Sequence, residues 1–497
     1  MRTFFFLLSL LFSVASIYAE NATNVRVRQE GQTIVVTYDL TESSPVKLLM
    51  SIDNSTDLKE LNAVKGDVGD GIPAGKNRTI VWSPLEEYNG FAADNVCFIV
   101  ECPTSDGQQQ RASYAWEINE QLYRPFPDFE VVIGDFRFTR HTSKSTIQLI
   151  GLNKRDTRTV VIPESVEYNG WTYGVVGIGE EAFKDCSSIT SVSIPATIKK
   201  IGKEAFHGCT SITSVFIARG VAEIGEKAFR ECRVLRSIAI PSSVTKIGQD
   251  AFKDCVSLQS ITLPYGLTAI DKGMFDGCAS LSALTIPTSV ETIGDKAFKD
   301  CSSMASIAIP YGVTSLGYES FAGCTALLSM NIPNSVQNIR GRAFADCIAL
   351  SSISIPNGVT RLWKGAFSGC TMLTSFVIPT TVKVIEEGLF AGCTALASVT
   401  IPAGVQSVEN NAFTNCSALQ FVVLPSGVTT IGSGVFSGCS SLNSVTVGGS
   451  LRAVGKSLFG SAPNAGLKLL VPAGMKKVYA EGVLASYRSM IVEVGKK

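Results

Sequence analysis

Apolar residues return along most of this chain at a spacing of 23. A cysteine recurs every 23 residues from Cys186 to Cys439, and counted from it positions 3, 6, 8, 12 and 15 are apolar in all twelve repeats. The first repeat shows this with Ile189, Val192, Ile194, Ile198 and Ile201. Positions 6 and 8 alternate with outward positions 5 and 7, the period of a strand with one buried face. Proline at position 9 in ten of twelve repeats ends that strand, because it offers no N–H to a ladder. The stretch before each cysteine, such as Glu180-Glu181-Ala182-Phe183-Lys184-Asp185, is rich in helix formers and predicts a short helical turn on the opposite side. Such self-similarity predicts a solenoid, since one unit can bury its apolar face only against the next. At ~4.8 Å per strand, about thirteen coils would extend roughly 60 Å.

The fuller repeat reads apolar-Gly-x-x-Ala-Phe-x-x-Cys-x-x-Leu-x-x-Ile-x-Ile-Pro-x-x-Val and contains the L-x-x-I-x-I core of a leucine-rich repeat. From Ile178 to about Val471 it resembles the BspA-like, treponemal-type leucine-rich repeats of bacterial surface proteins. The expected fold is mainly β with short helices, a right-handed α/β solenoid preceded by a small β-sandwich. Departures are local. Ala218 and Gly448 replace the proline, while Asp271, Arg340, Trp363, Glu386 and Glu409 replace the glycine after position 15. The resemblance implies surface adhesion to host matrix proteins or to other cells.

The flanking segments predict the rest of the organisation. Arg2, the apolar run Phe4 to Ala15 and Ala19 have the layout of a secretory signal peptide over 1–19. Short β-rich runs over 20–103 suggest a sandwich that looks like an immunoglobulin-like domain. The polar stretch 104–128 reads as a linker, 129–177 as an N-terminal cap with a first irregular repeat, 178–461 as the repeats and 462–497 as a C-terminal cap. In the irregular repeat, Val160-Val161-Ile162-Pro163 already has the strand ending of a coil, and Trp171 and Tyr173 lie in an insertion behind it. No later run reaches the ~18 apolar residues of a transmembrane helix. The mature chain is therefore expected to be exported, to an extracellular, cell-surface or periplasmic location.

Composition narrows the chemistry. Lysine plus arginine and aspartate plus glutamate both number 43, which argues against a nucleic-acid partner. Fourteen cysteines suggest a disulfide or zinc count, but each repeat has one and none forms a C-x-x-C pair. A buried thiol is the expected role. Cys97 and Cys102 stand apart and are read as unpaired, with a bridge open only if a turn intervenes near Pro103. Asp53, Asp57, Asp67 and Asp70 lack the spacing of a calcium loop. No metal or cofactor motif is present. Of the two histidines, His141 and His207, neither sits in a nucleophile motif, so no catalytic residue is expected.

Charge is unevenly spread. Positions 1, 2, 4, 5 and 7 around the strand carry only Arg233 and Arg236 as charges, whereas the segment before each cysteine is strongly charged in the first six repeats. The strand face is thus the expected binding surface. Its candidate contacts are Phe216, Phe421, Leu328 and Val377, the two arginines, and Tyr265 and Tyr311 after strand-ending prolines. Serine fills position 5 in ten repeats, read either as a hydroxyl-lined surface or as hydroxyls bonded along the sheet. The leading function is non-enzymatic recognition of a macromolecule. The alternative is a glycan-binding accessory protein of a surface polysaccharide system.

Overall fold

Alternating side chains build two β systems in this chain, each around its own core. The computed structural model describes residues 22–30, 33–52, 59–83, 95–103, 109–117, 129–141, 146–169, 171–460 and 464–495. The expected signal peptide, 1–19, lies outside them. Two compact units result: one holds 1–133, 138–148 and 165–175, the other 134–137, 149–164 and 176–497. The expected cap at 129–177 is therefore divided between them. Its strand Thr159–Val161 joins the solenoid ladder, whereas Ser165–Tyr168 folds back on Trp171–Gly174 as a hairpin.

In the first unit the run Thr33–Leu40 buries Ile34, Val36, Tyr38 and Leu40 on one face. That strand pairs antiparallel with Ala22–Glu30 and Gly75–Trp82. A second sheet joins Ser44–Ile52 to Asn95–Pro103. Leu48, Met50, Phe98 and Val100 of this sheet share a core with Trp82 of the first, so two sheets close over one interior. Trp82 and Phe98 meet edge to face at 5.5 Å. The turn between the strands Val64–Gly66 and Gly69–Ile72 is tied down by Asp67, whose carboxylate accepts the Thr79 N–H at 2.7 Å and whose carbonyl accepts the Tyr38 hydroxyl. Asp53 and Asp57 lie outside the described residues.

One expectation changes here. Gln109–Glu117, inside the expected linker, is a nine-residue strand paired along its whole length with Asn95–Pro103. Backbone pairing at a sheet edge needs no apolar side chains, which is why a polar sequence concealed it. That same pairing excludes a Cys97–Cys102 bridge. Both residues lie on one strand five apart, so their Cα atoms are about 17 Å from each other, beyond the ~7 Å reach of a disulfide.

In the second unit each coil has three sides. In ten of the twelve cysteine coils a strand at positions 5–7 or 5–8 forms the first, as at Ser191–Ile194 and Ser214–Ile217, which pair in parallel. Val160 stands in register with Val192, so the first irregular repeat is a coil of the stack. The position-9 proline begins the corner, its carbonyl accepting the N–H of position 12 (Val244 to Pro241, 3.0 Å). A two-residue strand at positions 14 and 15 forms the second side, as at Lys200–Ile201 and Glu223–Ile224.

The third side is a turn ladder rather than the expected short helix. The residues five and one before the cysteine take left-handed backbone angles, as at Glu181 and Asp185 (φ 56° each), and these interrupt an α-helix. The amides point along the stack instead. Phe183 N–H donates to the Ala205 carbonyl of the next coil at 2.7 Å, and the same bond recurs through Phe436 and Leu458. Thirteen phenylalanine rings, Phe183 to Phe459, stack behind this ladder with centroids 4.9–5.9 Å apart.

The stack runs further than its cysteines. Lys468–Pro472, expected to open the C-terminal cap, pairs with Ser444–Val447 as one more rung, and Ile491–Val494 adds another. Between them a short helix, Lys476–Glu481, brings the buried Tyr479 over the last coil. Its hydroxyl accepts the Leu451 N–H at 3.1 Å and donates to the Gly449 carbonyl. Tyr487 accepts the Leu458 N–H at 2.7 Å and sets its ring edge on Phe459. Among the described residues, no helix is long and apolar enough to cross a membrane.

Candidate functional site

Positions 6 and 8 of each long strand point inward, so positions 5 and 7 face out. Phe216, Phe421 and Val377 are more than half exposed there, as are Val161 and Val423. Leu328 at position 4 and Tyr265 and Tyr311 after their prolines are exposed as well. The expected residues do not converge on one point. Val161, Ser193 and Phe216 are successive partners across three strands. Phe421 and Val423 share one strand face, with Val377 two coils before them. Nine coils separate Phe216 from Phe421, about 43 Å at the usual strand spacing. Arg233 and Arg236 are both exposed, and Glu231 holds Arg233 at 2.9 Å.

Hydroxyls on this face divide by position. Those at positions 1 and 4 bond to the carbonyl one coil back, as Thr213 to Thr190 (3.1 Å) and Thr394 to Thr371 (3.3 Å). The position-5 serines do not form such rungs. Ser191 reaches the Thr159 hydroxyl at 3.3 Å, while Ser214, Ser237, Ser260, Ser329 and Ser352 stand exposed. The sheet-bonded reading thus applies to positions 1 and 4, and position 5 forms the polar lining of the surface.

The long-strand ladder lapses between Ser260–Thr262 and Ser329–Asn331, where residues 283–285 and 306–308 pair with no neighbouring strand. A groove of about 480 Å³ opens at this lapse, lined by Thr262, Tyr265, Ala283, Thr285, Pro287 and Ser306. The repeat pattern gave no sign of it, because the apolar positions of these coils are all occupied. Tyr265 marks its edge; Tyr311 does not line it.

The turn side differs in kind. Its charges are paired, with Glu204 facing Lys184 at 2.7 Å and Lys227 at 3.4 Å in the neighbouring coils and His207 at 3.4 Å in its own. The bond from Lys184, more than any other contact, holds the Glu204 carboxyl down at about 2. His207 also faces Glu231 at 3.6 Å, so it is a member of an ion-pair network. Among the described residues, no group of three His, Cys, Asp or Glu side chains converges as metal ligands. The repeat thiols are buried, and burial pushes them up, to about 12 at Cys255 and Cys347.

Comparison with known proteins agrees with this architecture. Residues 176–305, 292–420 and 363–478 match the model of the BspA type leucine rich repeat region, in six copies. A leucine-rich repeat protein from Bacteroides ovatus is 27% identical, with TM-score 0.61, covering 74% of this chain and 100% of that one. A leucine rich cell surface protein from Faecalibacterium prausnitzii is 29% identical, with TM-score 0.50, covering 68% and 99%. Among curated proteins, none matches the chain.

Proposed function

Because the chain belongs to the BspA-type leucine-rich repeat proteins, we propose that it is an exported, non-enzymatic recognition protein that binds a macromolecule through its long-strand face. One observation carries this reading. Phe216, Val377, Phe421 and Val423 stand exposed on hydrogen-bonded strands whose surface is almost free of charge. Apolar side chains fixed on a rigid sheet lose little entropy when a partner covers them, and aromatic ones are common binding anchors. Their spread over many coils suits an extended protein surface on another cell or a host matrix. The similarity to a leucine rich cell surface protein supports an outer location, as does the signal-peptide pattern of 1–19.

The test is a binding array of host matrix proteins, bacterial surface proteins and glycans, followed by the double variant Phe216→Ala/Phe421→Ala. Weakening of at least tenfold, with an unchanged circular dichroism spectrum, is expected for the protein ligand. Unaltered affinity of the double variant would remove this face from the binding site.

A further inference from the structure

A second opening lies on the turn side, over the coils of Tyr318, Arg342, Trp363 and Glu387, with a volume of about 530 Å³. Its floor is made by missing side chains. Five and two residues before the cysteine, other coils carry Glu204 and His207, or Lys227 and Arg230. Here the same slots hold Gly365 and Ser368, then Gly388 and Ala391. A Cβ added to Gly388 would meet only the Ala391 Cβ, at 3.8 Å.

The wall is an aromatic ring that packing does not demand. Trp363 replaces the glycine of most coils and is 37% exposed. One indole face is covered by the Arg361 guanidinium at 3.6 Å, and Glu386 holds that arginine at 2.8 Å. The ring is thereby clamped in place while it lines the cavity. Tyr318 also lines the cavity, its ring 3.4 Å from where a Gly341 Cβ would stand.

The rim is polar but its charges are already answered. Arg342 faces Glu319 at 3.2 Å and Asp346 at 3.4 Å, Arg340 faces Asp295 at 3.6 Å, and Lys364 faces Glu387 at 2.8 Å. No surplus cation awaits a phosphate or carboxylate. An apolar peptide side chain would fill the floor but desolvate the rim without bonding to it, which is costly. A sugar ring satisfies both, with C–H faces for the indole and hydroxyls for the charged rim. The volume falls within the usual range for small-ligand sites.

We propose that this cavity binds a sugar ring of a neutral glycan, with Trp363 as the stacking platform. The site is independent of the long-strand face. The test is calorimetric titration of the full chain with neutral tetra- to hexasaccharides of glucose, mannose, galactose and xylose. An oligogalacturonide and a proline-rich peptide run beside them. At least one neutral oligosaccharide is expected to bind, with its affinity lowered tenfold or more by Trp363→Ala. Ala391→Arg, which restores the residue type of Arg230 in that slot, is expected to abolish binding with the melting temperature retained. Phe216→Ala/Phe421→Ala is expected to bind the sugar normally. The proposal is overturned if no neutral oligosaccharide binds, if binding survives Ala391→Arg, if the acidic sugar or the peptide is preferred, or if the strand-face variant loses the sugar.

Discussion

The thiol of Cys209 lies 3.0 Å from the carbonyl oxygen of Phe183 in the preceding coil, and the same contact recurs to Cys439 and Phe413. That carbonyl also accepts the Cys186 N–H of its own coil at 3.1 Å. The cysteine therefore fills a small apolar slot and donates along the stack, a pairing that neither serine nor alanine reproduces in both respects.

Thiol reactivity follows from this placement. Buried thiols whose ionisation is suppressed react slowly, since the thiolate is the nucleophile. Native protein should label negligibly at the repeat cysteines with a maleimide at neutral pH. Denatured protein should label at all twelve of them and at Cys102, which is also buried and free. Mass spectrometry after alkylation without reductant reads the count, and missing labels in pairs would indicate disulfides.

Glycine 202 should be far less replaceable than Gly388. A Cβ on Gly202 would stand 2.5 Å from the Gly179 carbonyl of the preceding coil, backbone that cannot yield without opening the stack. Gly202→Ala should cost about 2 kcal/mol or more. Gly388 has open space and only its φ of 59° to penalise a side chain, so Gly388→Ala should cost about 1–2 kcal/mol. Melting temperatures of the two variants compare them directly, and a smaller loss for Gly202→Ala would contradict the close coil contact.

Acid should loosen the N-terminal half of the turn side. Glu204 is held at about 2 in the folded chain, below the ordinary glutamate value of about 4.3, chiefly by its bond from Lys184. A lowered folded value means that its stabilisation is complete above about pH 4.5 and is lost as pH falls toward 2. Glu204→Gln should lower the melting temperature at pH 7 and flatten its fall across that window. Equal pH slopes for the variant and the parent would assign the acid sensitivity to other groups.

Two tyrosine hydroxyls help close the C-terminal end, and that of Tyr479 is the buried one. Tyr479→Phe leaves the Leu451 N–H without its acceptor in a buried place, a loss of about 1–3 kcal/mol. Hydrogen exchange should speed first at Leu451 and the last rungs, with the coils near Cys209 unaffected. Uniform acceleration along the stack would show a more cooperative solenoid than nearest-neighbour coupling predicts.

Much of the fold was legible because each coil repeats one physical problem. Val192 and Ile194 alternate with serines, Pro195 stops the strand, and Phe206 and Cys209 return on schedule. The turn segment misled because Glu, Ala and Lys favour helix locally, yet its amides find better partners in the next coil, as Phe183 does in Ala205. Trp363 and the small residues Gly365 and Ala391 were visible as breaks in the pattern. That they surround one cavity was not, since adjacency between coils is a property of the stack.

By itself, then, the sequence determined the coil: its length, its buried positions, its strand end and the sparing of charge on one face. Those follow from side-chain period and backbone chemistry within 23 residues. Tertiary structure alone decided where the strand ladder opens beside Tyr265, which hydroxyls bond along the sheet, and how Tyr479 closes the end. These depend on contacts between segments 23 or more residues apart, whose geometry no local preference specifies. The strand 109–117 makes the same point in the first unit, since its pairing partner, not its composition, makes it a strand.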